Sequence, residues 1–142
     1  MKIDPSLYPD NLQTFIKHYV LMHYLEIVAF KTLQKRYSTF VYIDGFSGPW
    51  KSKDENYKDT SFGLAIQKLE AVRKTLYFKH HRKTAIKYVF VEKTKKAFTD
   101  LEAACADIGG INTLLIHGRF EDSVNQIMKF VGTSKDTFIF TF

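Results

Sequence analysis

TFVYIDGFSGP, residues 39–49, is the stretch that decides the fold of this chain. Its first five residues are β-branched or aromatic, which predicts a short buried strand. Asp44 follows that strand, where it is placed to accept hydrogen bonds or to attract a cation. The small residues Gly45, Ser47 and Gly48 let the backbone turn tightly and approach a ligand closely. An ordinary strand-to-loop turn contains the same residue types, so this stretch alone leaves both interpretations open.

Helix and strand patterns alternate around this stretch. A helix from Leu12 to about Leu33 precedes it, and because apolar residues lie on all sides of that helix we expect it to be well buried. The further predicted strands are residues 86–91, 113–116 and 137–142, and a helix precedes each of them. This alternation predicts a Rossmann-like three-layer α/β sandwich with a mainly parallel sheet in the strand order 3-2-1-4. The carboxyl ends of the strands then share one edge, where such folds bind ligands.

The second and third strands also end in residues of interest. Glu92 ends the second strand, where nucleotide-binding folds place an acid that accepts hydrogen bonds from ribose hydroxyls. After the third strand, Phe120 is a candidate to cover an aromatic ring. Glu121 and Asp122 are interpreted as acids that favour the first turn of the next helix. His117 is interpreted as a loop histidine rather than a catalyst.

Several common ligand motifs are absent from the sequence. It contains neither G-x-G-x-x-G nor G-x-x-x-x-G-K-[ST], which argues against dinucleotide binding and against a phosphate-binding P-loop. It has no metal-ligand spacing and no serine nucleophile elbow. What remains is an adenosine-type ligand without a pyrophosphate, which suits S-adenosylmethionine.

Composition sets broader limits. A single cysteine, Cys105, excludes a disulfide within the chain, and its neighbours predict a buried thiol on a helix. No apolar signal segment begins the chain, so we expect a cytoplasmic protein. The formal net charge is +6, with a dense basic run at residues 79–83. Such a surface attracts nucleic acid, but a solvated basic loop explains it equally well.

In several segments the chain resembles the three-Cys-motif partner proteins, a bacterial and archaeal family related to class I methyltransferases. Residues 17–25 are similar to the family's Lys-His…Tyr-Leu helix, and residues 42–49 are similar to its Asp-x-Phe-Ala-Gly-Pro-Gly loop. Residues 60–65 stand where the family has Gly-Ser-Pro and a helix start. Glu92 and residues 118–120 fall at the second and third strand ends, as the family pattern requires.

The resemblance implies bound S-adenosylmethionine and a protein partner with a three-cysteine motif. It places residues at the methionine moiety (Asp44, Gly45, Phe46, Ser47, Gly48), at the ribose (Glu92) and, as a candidate, at the adenine (Phe120). It names no catalytic residue. Trp50 replaces the family's closing glycine, and we expect its indole to narrow the cofactor site. Phe62 replaces a proline of the family.

The resemblance also sets an expectation for domain organisation. We expect one methyltransferase-type domain over residues 1–142, with a helical segment at 1–36 and a cofactor-binding half at 37–142. The fourth strand closes the chain before the segment that positions the methyl acceptor in such enzymes, so we expect a fragment that is inactive alone. The alternative is a degenerate, non-catalytic module that binds nucleic acid or a protein partner.

Overall fold

A parallel β-sheet forms the centre of the molecule. A computed structural model describes residues 12–45, 47 and 60–142, and its four-stranded sheet has the order β3-β2-β1-β4. All three strand pairs are parallel, which confirms the predicted Rossmann-like α/β fold and its strand order. The strands are β1 (Thr39–Asp44), β2 (Ala85–Glu92), β3 (Asn112–His117) and β4 (Thr137–Thr141). The helices are α1 (Leu12–Val20), α2 (Glu26–Lys35), α3 (Ser61–His80), α4 (Lys95–Ile108) and α5 (Phe120–Val131).

Helices cover both faces of the sheet, each over its own apolar cluster. Phe40 and Tyr42 of β1 pack with residues of α2, α3 and α4 on one face. Val41 and Ile43 of β1 point to the other face and pack with Ile127 of α5. The alternation along β1 therefore gives the two layers that a parallel sheet with covered faces requires.

The N-terminal helical segment packs through a single stripe. Helices α1 and α2 are joined by a π-helical turn, Leu21–Leu25. Every fourth residue from the start of that turn is fully buried, namely Leu21, Leu25, Ala29 and Leu33. The expectation of burial on all sides was wrong, since Leu12 is 69% exposed and Ile27 is 52% exposed. The physical reason is that one face of the segment contacts the sheet and α3, whereas no other described element covers the opposite face.

Helix α3 begins with a capped first turn and packs through one apolar face. The Gly63 amide donates to the Thr60 hydroxyl at 3.1 Å, an N-cap that satisfies one amide of the first turn. The apolar face of this helix is buried at Phe62, Ala65, Ile66, Leu69, Val72 and Leu76. Helix α4 ends at two glycines with positive φ, Gly109 and Gly110.

One member of the basic run has a structural role. The Arg82 guanidinium donates to the carbonyl oxygens of Leu33 and Lys35 at the end of α2 and of Tyr37 beyond it. The carbonyls of Leu33 and Lys35 belong to the last turn of the helix, where they have no partner within the helix and where a cation is also favoured by the helix dipole. Arg82 therefore joins the N-terminal segment to the residues that lead into β2.

Replacing Arg82 by Ala is expected to lower the free energy of unfolding by about 2 kcal/mol, because hydrogen bonds to a charged group are stronger than neutral ones. Lys83→Ala is the matched control, since Lys83 is an exposed cation of the same run. Urea unfolding followed by circular dichroism measures both variants. Equal, small effects would show that the Arg82 contacts contribute nothing to stability.

Cys105 is buried on α4, in agreement with the sequence interpretation. Burial raises the pKa of its thiol to about 11, because an apolar environment disfavours the thiolate. Since the thiolate is the reactive form, Cys105 is an inert packing residue near neutral pH.

Within the described ranges, no helix is long and apolar enough to cross a membrane.

Candidate functional site

Three neighbouring strand ends meet at one cleft. Its volume is about 210 Å³, and it lies at the carboxyl edge of the sheet beyond β1, β2 and β3. The lining residues are Gly45, Val91, Glu92, Lys93, Gly118, Arg119, Phe120 and Glu121. The structure thus brings together three of the residues singled out from the sequence: Gly45, Glu92 and Phe120. Ligand pockets commonly measure roughly 300–1,000 Å³, so this cleft suits one part of a ligand, such as a nucleoside.

Glu92 is held at the floor of the cleft by its own backbone and by the next turn. It is 4% exposed, and its Oε1 accepts a hydrogen bond from the Thr94 amide at 2.7 Å. Its carbonyl oxygen accepts from the Gly118 amide at 3.0 Å, which ties the end of β2 to the end of β3. No donor within the described part of the chain contacts Oε2. The carboxylate is therefore oriented through one oxygen and retains the other as an acceptor for a ligand.

Phe120 and Gly45 form the side of the cleft next to β1. A Cβ placed on Gly45 lies 2.9 Å from Phe120 Cδ2 and 3.1 Å from its Cγ, closer than side chains normally pack. The Phe120 ring therefore occupies the space that the absent side chain leaves. Gly45 was expected to let a ligand approach the backbone, and the structure adds that it makes room for this ring.

Asp44 lies at the same strand end but points to the opposite face of the sheet. It is fully buried, and the Lys17 ammonium lies 2.8 Å from its Oδ1 and 2.7 Å from its Oδ2. Lys17 Nζ also lies 5.4 Å from the centre of the Phe142 ring. Asp44 is absent from the lining of the cleft and belongs to an ion pair beside it. The expectation that Asp44 attracts a cation is met by a cation of the protein itself.

Ser47 connects the loop after β1 to β2 rather than lining the cleft. Its amide donates to the Val91 carbonyl oxygen at 3.1 Å, and its hydroxyl donates to the Asp44 carbonyl oxygen at 3.1 Å. These contacts hold Ser47 against the sheet next to the cleft. Phe46, Gly48 and Trp50 lie outside the described residues.

The reasoning from sequence did not predict that Lys17 pairs with Asp44. Lys17 stands four residues before Leu21 and next to His18, the buried residue of α1, so it lies at the margin of the buried stripe. The helical segment runs antiparallel to β1, because its last residues lead through a short connection into Thr39. A lysine beside such a stripe is the signal that could have pointed to a buried acidic partner.

The remaining polar residues near the third strand end have structural contacts. His117 Nε2 lies 3.2 Å from the Lys93 carbonyl oxygen, and its ring stacks on Phe98 with the ring centres 5.1 Å apart. Glu121 and Asp122 lie in the first turn of α5, as predicted. No group of histidine, cysteine and acidic side chains in the described ranges is arranged to hold a metal ion.

The fold and the cleft define a Rossmann-like α/β protein with a candidate ligand site at the carboxyl edge of its sheet. Scans of known protein families find no matching family, and a search of curated proteins finds no match either. Among solved structures, a loganic acid methyltransferase with SAH is similar, with a TM-score of 0.45 and 11% sequence identity. The likeness covers 84% of this chain and 33% of that one, so the present chain spans about a third of its neighbour's length.

Proposed function

We propose that this chain binds S-adenosylmethionine and is the cofactor-binding part of a methyltransferase-like protein. The observation that carries the proposal is the carboxylate of Glu92, oriented by one oxygen and open through the other, inside a cleft walled by the aromatic ring of Phe120. A ribose offers two hydroxyl donors to such an acid, and an adenine offers a flat surface to the ring. The absence of phosphate-binding loops from the sequence favours an adenosine ligand without a pyrophosphate.

Each residue of the edge has a proposed part in binding. Glu92 accepts from the ribose hydroxyls, and Phe120 covers the adenine. Asp44, Gly45, Phe46, Ser47 and Gly48 are proposed to contact the methionine moiety of the ligand. When bound, the cofactor supplies a sulfonium methyl group for transfer to an acceptor nucleophile, a reaction that proteins accelerate chiefly by positioning. The acceptor is unassigned, and no residue of this chain is proposed as catalytic.

We further propose that the chain is related to the three-Cys-motif partner family. The support is the sequence of residues 17–25 and 42–49 and the position of Glu92 at the end of β2. The partner that this relationship implies is a protein with a three-cysteine motif. The same relationship supports the division into a helical segment at 1–36 and a cofactor-binding half at 37–142.

The first test is calorimetric titration of S-adenosylhomocysteine, the chemically stable product form of the cofactor, into the full chain. Glu92→Gln is expected to weaken binding by at least about tenfold, because the charged acceptor for the ribose hydroxyls is lost. Glu121→Gln is the matched control, since Glu121 lies on the rim of the same cleft and its side chain is 66% exposed. We expect the control to bind within about threefold of the original chain.

A parallel titration with ADP separates this proposal from a phosphate-directed site, because Lys93 and Arg119 also line the cleft. Tight ADP binding without S-adenosylhomocysteine binding would overturn the proposed cofactor. The absence of binding by either nucleotide, in a chain that circular dichroism shows to be folded, would overturn the proposed site.

A second candidate is the non-catalytic module that binds nucleic acid. Residues 79–81 and 83 of the basic run are exposed, and the formal net charge is +6. Arg82 is the exception, because its guanidinium is engaged with carbonyl oxygens. Binding of a labelled RNA that weakens steeply with added salt, together with no response to S-adenosylhomocysteine, would favour this candidate.

A further inference from the structure

The Lys17–Asp44 ion pair lies beside the cleft, at the carboxyl edge of the sheet. Along the carboxyl edge the strands follow the order β3, β2, β1 and β4, and the cleft opens beyond the first three. Asp44 ends β1, one strand spacing of about 4.8 Å from β2. Phe142 follows β4, and its amide and carbonyl oxygen bond to Ile43 and Gly45 on either side of Asp44. Lys17 lies over this junction of β1 and β4.

The two members of the ion pair differ in exposure. The Asp44 side chain is fully buried, whereas 17% of the Lys17 side chain is exposed. The lysine therefore forms the accessible side of the pair, with the acid beneath it. The hydroxyl of Tyr42, two residues before Asp44 on the same face of the sheet, is buried and has no hydrogen-bond partner among the described residues. The junction is thus a polar, charged place in an otherwise apolar face.

We infer that Lys17 recognises the carboxylate of an amino-acid tail on the nucleoside ligand. The inference rests on the proposed function, and it adds a specificity-determining residue from the N-terminal helix. A tail that leaves the ribose at Glu92 and follows the edge past Gly45 reaches the Lys17–Asp44 pair. The carboxylate of an α-amino acid complements the accessible Lys17 ammonium, which the buried Asp44 carboxylate beneath it holds in place. Lys17 then selects nucleosides with this tail over those without it.

The test compares two ligands that differ only in the carboxylate. S-adenosylhomocysteine carries it, and S-adenosyl-3-thiopropylamine lacks it but keeps the adenosine, the sulfur and the amine. The full chain is expected to prefer S-adenosylhomocysteine by at least about tenfold, the typical effect of one charge-assisted hydrogen bond. In Lys17→Met, the preference for S-adenosylhomocysteine should fall below about threefold. The affinity of this variant for the amine ligand should stay within about threefold of the affinity of the full chain.

Two controls separate recognition from a structural effect. Lys68→Met removes a lysine whose ion pair with Glu26 on α2 is exposed, and it should keep the preference. The double variant Lys17→Met/Asp44→Asn contains no buried charge at the junction, so it provides a second folded background without the lysine. It should also lose the preference for the carboxylate.

The outcomes distinguish the two proposals. If the full chain binds both ligands equally, or if the preference survives in both Lys17 variants, the inference about Lys17 is overturned and the proposed cofactor stands. If neither ligand binds the full chain, the proposed function is overturned and the inference falls with it. If Lys17→Met weakens both ligands by the same factor, Lys17 acts only on the structure of the site, which also overturns the inference.

Discussion

Lys17→Met is expected to lower the free energy of unfolding by about 3 kcal/mol, because it leaves a fully buried carboxylate without its ammonium partner. Asp44 has no exposed surface through which water can replace the lysine. A loss of this size is a large part of the roughly 5–15 kcal/mol that stabilises a typical domain. Urea unfolding followed by circular dichroism measures it directly.

The double variant Lys17→Met/Asp44→Asn is expected to recover most of that loss. Its two neutral side chains have shapes close to the original ones, and no charge remains in the low-dielectric interior. The double-mutant cycle therefore gives a coupling energy between residues 17 and 44 of at least about 1.5 kcal/mol.

Lys68→Met provides the comparison with an exposed ion pair. Lys68 Nζ lies 3.1 Å from Glu26 Oε2, and the two side chains are 25% and 49% exposed. Because water screens such a pair, its loss should cost less than about 1 kcal/mol. Similar losses of unfolding free energy for Lys17→Met and Lys68→Met would show that the buried Asp44 carboxylate does not need the Lys17 ammonium for a stable fold.

The strand ends could be predicted from sequence because they follow from topology. Once helices and strands alternate, parallel pairing places the residues after β1, β2 and β3 at one edge, whatever the details of packing. Glu92 and Phe120 were therefore found by position alone. Gly45 was found in the same way, but its role in accommodating a ring of α5 depends on a contact across 75 residues, which no local pattern shows.

The N-terminal segment shows why the rest could not be predicted. The apolar residues of this segment outnumber those that one face can bury, so the sequence predicted burial on all sides. The π-helical turn at Leu21–Leu25 also changes the phase of the helix, so a regular helical period from Leu12 does not identify the buried stripe. Asp44, the partner of Lys17, lies 27 residues further along the chain. Predicting this pair requires the position of the helix over β1, which the sequence does not show.

Gly45→Val is expected to destabilise the fold by about 3 kcal/mol, because a Cβ at this position lies 2.9 Å from Phe120 Cδ2 and the two methyl groups add further overlap. A shift of the ring would change the shape of the cleft that it walls. We therefore also expect S-adenosylhomocysteine affinity to fall by at least about tenfold, the loss of roughly 1.4 kcal/mol of binding free energy.

Gly118→Val is the matched control for stability, since Gly118 lines the same cleft and a Cβ placed there has no atom within 4 Å. Its cost should stay below about 1 kcal/mol. Adding Phe120→Ala to Gly45→Val removes the ring from the overlap, so the cost of the double variant should be smaller than the sum of the single costs by at least about 1 kcal/mol. Additive costs would show that the two residues do not contact each other in solution. The contact between Gly45 and Phe120 would then not be needed to form this side of the cleft.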